Sequence, residues 1–496
     1  MTATVTRVVV VGGGAVAWIA AAGLRRAFRK RGVDVLVVDT GMPADAPVAR
    51  WTLPSQRAMH GLLGIPEPEL LRRTGATFKL ATEHVGWQGE GSHFFHAHGD
   101  IGTDLAGTPF YKFLVQQALN GQPESPENYS LAAVAARLGR FARPMGDEKA
   151  LTSSFTYGFH LDEAAYVSSL AAHAAQLGVR RVTAPLVAVS RLPGGEVESL
   201  QLANGESVAG ELFLDCSGAE SLLMKQLGEE ERDDWSAWLP CDRMISARAP
   251  AIPQLPPFTR TVAADAGWCW RLPLARTSAA GYVYSSAFAS DDTALRHLQS
   301  AVPGLEAPGR VVLLASGRRR RFWEKNCIAL GAAAMQLEPL AGAELHFAQL
   351  GLGTLIELFP LDVSGAIEGA EFNRVMAEHA DSLRDFTIAH YRVGRARPGD
   401  FWTAARAAPP PQRLADRLDL YQASGRINLH DFETFEEVDW AWLLLGAGVI
   451  PAALELQIRA RVENVTPQQV APLRAHIDGL AASMPRHSEY VQRSNA

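Results

Sequence analysis

Cysteine is scarce. Cys216, Cys241, Cys269 and Cys327 are the only four in 496 residues. No two are close enough for a C-x-x-C pair, which excludes a disulfide framework and argues against a zinc ribbon. No stretch collects His and Cys at metal-ligand spacing, so no protein-built metal site is expected. Long apolar runs are lacking too. Val8 to Leu24 carries no charge, but Gly12-Gly13-Gly14 interrupts it and would make a poor helix interior. Trp440 to Leu454 is shorter than the ~20 residues that a membrane span needs, and Pro451 falls inside it. No membrane span and no export signal are read, and a reduced, cytoplasmic setting is expected. Charge of one sign is not in large excess: 47 bases and 53 acids leave −6. A nucleic-acid binder would usually be basic. The exception, Gly317-Arg318-Arg319-Arg320-Arg321, reads as a solvated strand end. No internal repeat is seen. What remains is an ordinary globular composition, 47% hydrophobic and 20% charged. Its length suits about three domains of ~150 residues, or one composite enzyme.

The first forty residues carry the clearest pattern. Thr6-Arg7-Val8-Val9-Val10-Val11 is the β-branched run of a buried strand. Gly12-Gly13-Gly14-Ala15-Val16-Ala17 follows, then an alanine-rich helical stretch to Lys30, then the strand Val35-Leu36-Val37-Val38-Asp39. Strand, glycine turn, helix and acid-terminated strand form the βαβ dinucleotide unit. Gly12 allows the tight turn, Gly14 lets backbone approach a pyrophosphate, and Ala17 lets the helix pack on the strand. The free N–H groups of the helix start suit phosphate. Asp39 can accept from ribose hydroxyls, although it lies further from Gly12 than the ~20 residues that are usual. The place of this unit at the head of so large a chain favours FAD over NAD.

Further along, Leu161 to Leu177 reads as an amphipathic helix capped at Gly178. Arg181 to Thr183 and Leu186 to Val189 read as strands. Val197 to Leu202 and Ser207 to Leu214 read as a meander closing on Asp215-Cys216-Ser217-Gly218. Further strands are expected between Met244 and Ser286. A short buried strand, Ile328 to Gly331, runs into a loop and a helix from about Glu344. Beyond Phe359 the chain turns mainly helical, with Ala407-Ala408-Pro409-Pro410-Pro411 as a rigid connector.

Several segments in order resemble the flavin-dependent halogenases of the tryptophan-halogenase type, from about Val8 to Pro451. The glycine turn with Trp18 is similar to the family's GGGxAGW. Ala76-Thr77-Phe78-Lys79 is similar to its ATFK, and Gly267-Trp268-Cys269-Trp270-Arg271-Leu272-Pro273 to its W-x-W-x-I-P. Gly281 to Ser286, Leu337-Glu338-Pro339-Leu340, and Arg384-Asp385-Phe386 with His390-Tyr391 match further signatures. The resemblance implies an α/β fold: a Rossmann-like, glutathione-reductase-type FAD module with a mainly helical substrate region. The expected modules are 1–95 with 155–355 for FAD, and 96–154 with 356–496 for substrate. It implies FAD, delivered as FADH2 by a separate flavin reductase, and chloride or bromide converted to hypohalous acid. Lys79 would then deliver halogen to an electron-rich aromatic small molecule or peptide. A homodimer is the candidate assembly. Cofactor contacts are implied at Gly12, Gly14, Ala15, Val16, Ala17, Asp39, Val187, Ala332 and Leu345. Trp268 and Trp270, two apart, share one face of a strand and would crowd the passage between flavin and substrate. His96, His98 and Trp440 fall in the substrate region.

The pattern also breaks. The family follows LEPL with Glu-Ser-Thr-Gly, but here the chain reads Ala341-Gly342-Ala343-Glu344. The carboxylate that pairs with the lysine is replaced by Ala341. Halide would depend on the backbone amides of Ala343 and Glu344. Glu344 would either place a like charge there, act as a relocated catalytic acid–base group, or only complement a helix dipole. His98 stands in Phe95-His96-Ala97-His98-Gly99 where the family has a ring to stack on indole, which speaks against free tryptophan as substrate. A flavin monooxygenase or oxidase, and a catalytically impaired paralogue, are the competing readings.

Overall fold

The structure, a computed structural model, describes residues 5–43, 45–105, 107–145, 151–228, 231–307, 310–360 and 365–495. The chain forms two compact units. One comprises Met1–Gly75, Leu161–Ser236 and Val312–Asp381, the other Ala76–His160, Ala237–Val311 and Ser382–Ala496. These divisions differ from the expected modules. Lys79 and the strands between Arg243 and Tyr284 group with the C-terminal helices rather than with the glycine turn. Hydrogen bonding is the reason. The strand Phe258–Ala264 pairs in parallel with Ala81–Val85, which ties the W-x-W sheet to the segment just after Lys79.

The first unit is built on a sheet in the order Trp323–Glu324, Cys327–Ala329, Leu212–Asp215, Arg7–Val11, Asp34–Asp39 and Arg180–Thr183. The expected βαβ unit is present, with Arg7–Val11 parallel to Asp34–Asp39 and the helix Ala15–Ala27 between them. The first strand is buried on both faces, as its valine run requires. Small residues let the helix approach its neighbours. A Cβ on Gly23 would lie 2.6 Å from Leu352 Cδ2 in the helix Glu344–Glu357. The expected meander is corrected in its last part. Val197–Leu202 and Ser207–Ala209 do pair antiparallel, but Gly210 breaks the run. Leu212–Asp215 leaves it to lie parallel between Arg7–Val11 and Cys327–Ala329. The arginine run is solvated at Arg320 and Arg321, as expected, but its first two members are corrected. Arg319 is buried and donates to Ala333 O at 2.8 Å and Ser221 Oγ at 2.6 Å, and Arg318 pairs with Asp233 and Asp381.

The second unit holds a sheet with strands in the order Arg243–Ala249, Ser278–Tyr284, Gly267–Pro273, Phe258–Ala264, Ala81–Val85 and His93–Ala97. Helices follow, as expected, among them Gln412–Ser424, Glu437–Gly446 and Pro467–Ser483. Glu437–Gly446 is apolar on nearly every side, and Trp440 to Leu444 are buried. No helix among the described residues is long and apolar enough to cross a membrane.

Candidate functional site

In the first unit the glycine turn is shaped by what surrounds it. Gly12 has φ +137° and packs against the carbonyl of Cys216, so that a Cβ would overlap it. A Cβ on Gly13 would strike the Asp39 carboxylate and Gly41 O, and one on Gly14 would stand 2.9 Å from Pro43 Cδ. Gly14 is the N-cap of the helix Ala15–Ala27, makes no side-chain cap, and is followed by no acid in the first turn, while Arg25 and Arg26 close the last. The helix therefore begins with its positive end uncompensated by a side chain, as an anion site requires. Asp39 is buried. Its Oδ1 accepts from Gly41 N–H at 2.9 Å, and its carboxylate pairs with Arg181, which also sits over the Trp18 ring. Val16 meets the 3₁₀ turn Gly331–Ala333, where a Cβ on Gly331 would lie 2.9 Å from Val16 Cγ2, so Ala332 joins this edge. Val187 is exposed on the strand Leu186–Arg191.

The loop after Leu340 belongs to the same unit. Gly342 adopts φ +66° beneath Trp51, and Ala343 is the N-cap of Glu344–Glu357. Ala343 and Leu345 are buried, Ala341 and Glu344 half-buried. The Glu344 carboxyl accepts from its own backbone N–H and faces Arg50, which is itself bound by both oxygens of Glu163. Burial raises the pKa of Glu344, with Arg50 working against that rise. The amide of Glu344 thus already has an internal acceptor.

In the second unit Lys79 ends the strand Thr77–Lys79 and is 1% exposed. Its Nζ donates to His98 Nε2 at 2.7 Å. Burial lowers its pKa to about 7, the Asp439 carboxylate opposing the fall. Around it His84, His98 and His160 are all buried and held far below their usual pKa by loss of water, with Lys79 itself adding to the effect. His84 bonds Thr261 Oγ1 at 2.9 Å, and His160 bonds Thr77 and Thr259, each at 3.0 Å. His96 Nε2 lies 3.1 Å from Asp439 Oδ1. Trp440 is fully buried, edge-on to Phe386 at 5.0 Å and beneath Arg417 at 4.2 Å, and Phe386 stacks on Phe435 at 3.7 Å.

Of the expected residues, Lys79, His96, His98 and Trp440 therefore gather in one region. Trp268 and Trp270 are buried in Gly267–Pro273. Trp268 packs near Trp87 at 6.2 Å, and Trp270 lies against Gly281, which has no Cβ to obstruct it. Sequence reading passed over Asp439, His84 and His160. Asp439 had a local signal, because Glu436 and Asp439 are spaced as a capping box, and the box forms. The histidines had none, since strand pairing rather than spacing brings them to Lys79.

The comparisons with known proteins agree along the whole chain. The sequence model for tryptophan halogenase matches residues 7–463. The tryptophan 7-halogenase KtzQ of Kutzneria sp. (strain 744) is 28% identical, covering 98% of each chain. BrvH, a flavin-dependent halogenase from Brevundimonas sp. BAL3, is 33% identical and superposes with a TM-score of 0.93 over 99% of both chains. Xcc4156, a flavin-dependent halogenase from Xanthomonas campestris, is 31% identical with a TM-score of 0.92, again over 99% of both. Matched in sequence nearly end to end, and in fold by relatives above 30% identity, the chain belongs to the tryptophan halogenase family of flavin-dependent halogenase enzymes.

Proposed function

We propose that the protein halogenates an electron-rich arene other than free tryptophan, through Lys79. The carrying observation is the buried Lys79 amine, ordered by His98 and poised near neutrality. FAD would be held by Gly12 to Ala17, with Asp39 on the ribose and Val187, Ala332 and Leu345 alongside. The glycine cradle and the uncapped helix start fit that group. Bound there and supplied reduced by a separate flavin reductase, FAD would contribute, with oxygen, the oxidising equivalents for making hypohalous acid from chloride or bromide. Lys79 then donates an N–H to the oxygen of that acid. The arene carbon bonds to halogen as the halogen–oxygen bond breaks, the oxygen leaves as water with a proton from the Lys79 ammonium, and the ring then gives its proton to the Lys79 amine.

A cavity of about 550 Å³ in the second unit supports the substrate class. Among the described residues, Asp100, Asp104, Glu436 and Glu437 line it with Tyr111 and Phe110, and no Lys or Arg does. A free amino-acid carboxylate would meet four acids there, whereas a neutral or amine-bearing arene would not be repelled. The loop at Ala341 to Glu344 favours a second reading, a flavin oxidase or monooxygenase. Its carboxyl lies on the amide that would otherwise face halide. An assay with reductase, NADH, FAD, bromide or chloride and an arene panel, read by mass spectrometry, separates them. The expected result is a brominated indole or tryptamine, with tryptophan the poorest substrate and Lys79→Ala inactive. Hydroxylated product or unproductive reoxidation alone, with no halogenated arene, would refute it.

A further inference from the structure

Among the described residues, no carboxylate lies at hydrogen-bond distance from Lys79 Nζ, and the one hydrogen bond of that amine goes to an imidazole. The charged and titratable groups that act on the pair are few. Asp439 faces Lys79 but is committed elsewhere, Oδ1 to His96 and Oδ2 to the Glu436 N–H at 2.9 Å. The charge of Lys79 acts on His84, His98 and His160, and His96 and His160 act on His98. His98 is fixed by its backbone as well. Its N–H donates to Leu80 O at 2.8 Å, one residue beyond Lys79, and its carbonyl accepts from Thr156 N–H at 2.9 Å. The backbone thus holds His98 beside Lys79, and where Nζ donates, Nε2 accepts and the neutral imidazole carries its proton on Nδ1.

We infer that His98 is the positioning residue of Lys79, a neutral acceptor that takes the place of a carboxylate in holding Nζ and in setting its balance between ammonium and amine. This rests on the proposed role of Lys79 for its consequence in catalysis, but the pairing can be read without activity. An acceptor at 2.7 Å stabilises the ammonium more than the amine. Removing it without admitting water must lower the titration midpoint of Lys79. A carboxylate there would instead hold Lys79 charged across the neutral range. With His98, the same lysine can be ammonium or amine without a large change in its hydrogen bonding.

The chain has six lysines, Lys30, Lys79, Lys112, Lys149, Lys225 and Lys325. Full-length protein made with lysine ¹³C-labelled at Cε therefore gives a tractable NMR titration, with Lys79 assigned by its loss in Lys79→Met. In His98→Phe the Lys79 midpoint should fall by about one pH unit or more, and His98→Gln, whose amide oxygen still accepts, should bring it back toward the parental value. Where His98→Phe does not fold, His98→Leu takes its place. A midpoint unmoved by the apolar replacement overturns the inference. So does a fall that His98→Gln fails to reverse, because packing rather than the acceptor would then govern Lys79. A midpoint that moves as expected in a protein that halogenates nothing would sink the proposed function and leave the pairing intact.

Discussion

A lysine kept out of water among uncharged imidazoles costs the fold energy. With a folded pKa of about 7 against 10.5 for the free side chain, the unfolded chain binds more protons at Lys79 between those values. Stability from this group therefore rises with pH across that window and is lowest at and below pH 7. The difference is on the order of 4 kcal/mol at pH 7. Lys79→Met, of similar volume and uncharged, should raise the melting temperature at pH 7, and the gain should shrink by pH 10. A variant that melts lower than the parent at pH 7 would mean that Lys79 is solvated. Gly12 is the opposite case. Gly12→Ala places a methyl on the Cys216 carbonyl at φ +137°, costing ~1–2 kcal/mol in backbone strain before the clash is counted. The purified variant should come without flavin or not fold; one that retains FAD at parental affinity would contradict the cradle. Both residues were legible in the sequence for different reasons. The glycine stands in a pattern with a physical cause, whereas Lys79 was singled out by family resemblance. Its partner His98 was read as a substrate contact because a chain position does not reveal which strands will pair.

At the scale of elements, the helix Glu437–Gly446 carries both Trp440 and the carboxylate that acts on Lys79. Its third residue, Asp439, completes the capping box, accepts from His96 and supports the Lys79 charge. Asp439→Asn keeps the shape and removes the charge. It should lower the Lys79 midpoint by a few tenths of a pH unit or more and weaken the helix start by ~1 kcal/mol, seen by the same lysine titration and by thermal melting. The loop at 341–344 makes a separate prediction. Ala341→Glu with Glu344→Gly restores a carboxylate and frees an amide, so turnover with chloride should rise several-fold over the parent. No gain would mean that this loop does not limit the reaction. Elements with local causes, such as the valine strand and the helix from Glu344, were readable to within a residue or two, and the alanine helix to within three. Leu212–Asp215 was misjudged as part of a meander, because its partners, Arg7–Val11 and Cys327–Ala329, are remote in sequence.

At the scale of the whole molecule, each unit is assembled from three separated stretches of chain. The parallel sheet of the first unit needs Arg7–Val11, Leu212–Asp215 and Cys327–Ala329 together. A fragment ending at residue 236 lacks the last of these. Expressed alone, it should be aggregated or unfolded by circular dichroism rather than an isolated flavin-binding module. The units divide the chain differently from the modules expected from sequence, because composition changes little along the chain whereas unit membership follows hydrogen-bonded pairing. The histidines add a property that belongs to the whole fold. His60, His84, His98, His160, His346, His390 and His487 are all kept neutral by burial, with His60 and His390 lowered to about 3 and His346 and His487 to about 4. On unfolding below about pH 6.5 each becomes free to take up a proton, so stability is lost as pH falls from there toward 4, by ~1.4 kcal/mol per pH unit for each proton bound. Seven such sites would make acidification act as a cooperative trigger, with several protons entering in a single transition that a circular-dichroism titration would record as one steep step. Rates measured on the acid side of that step would count surviving molecules rather than report ionisation at the site.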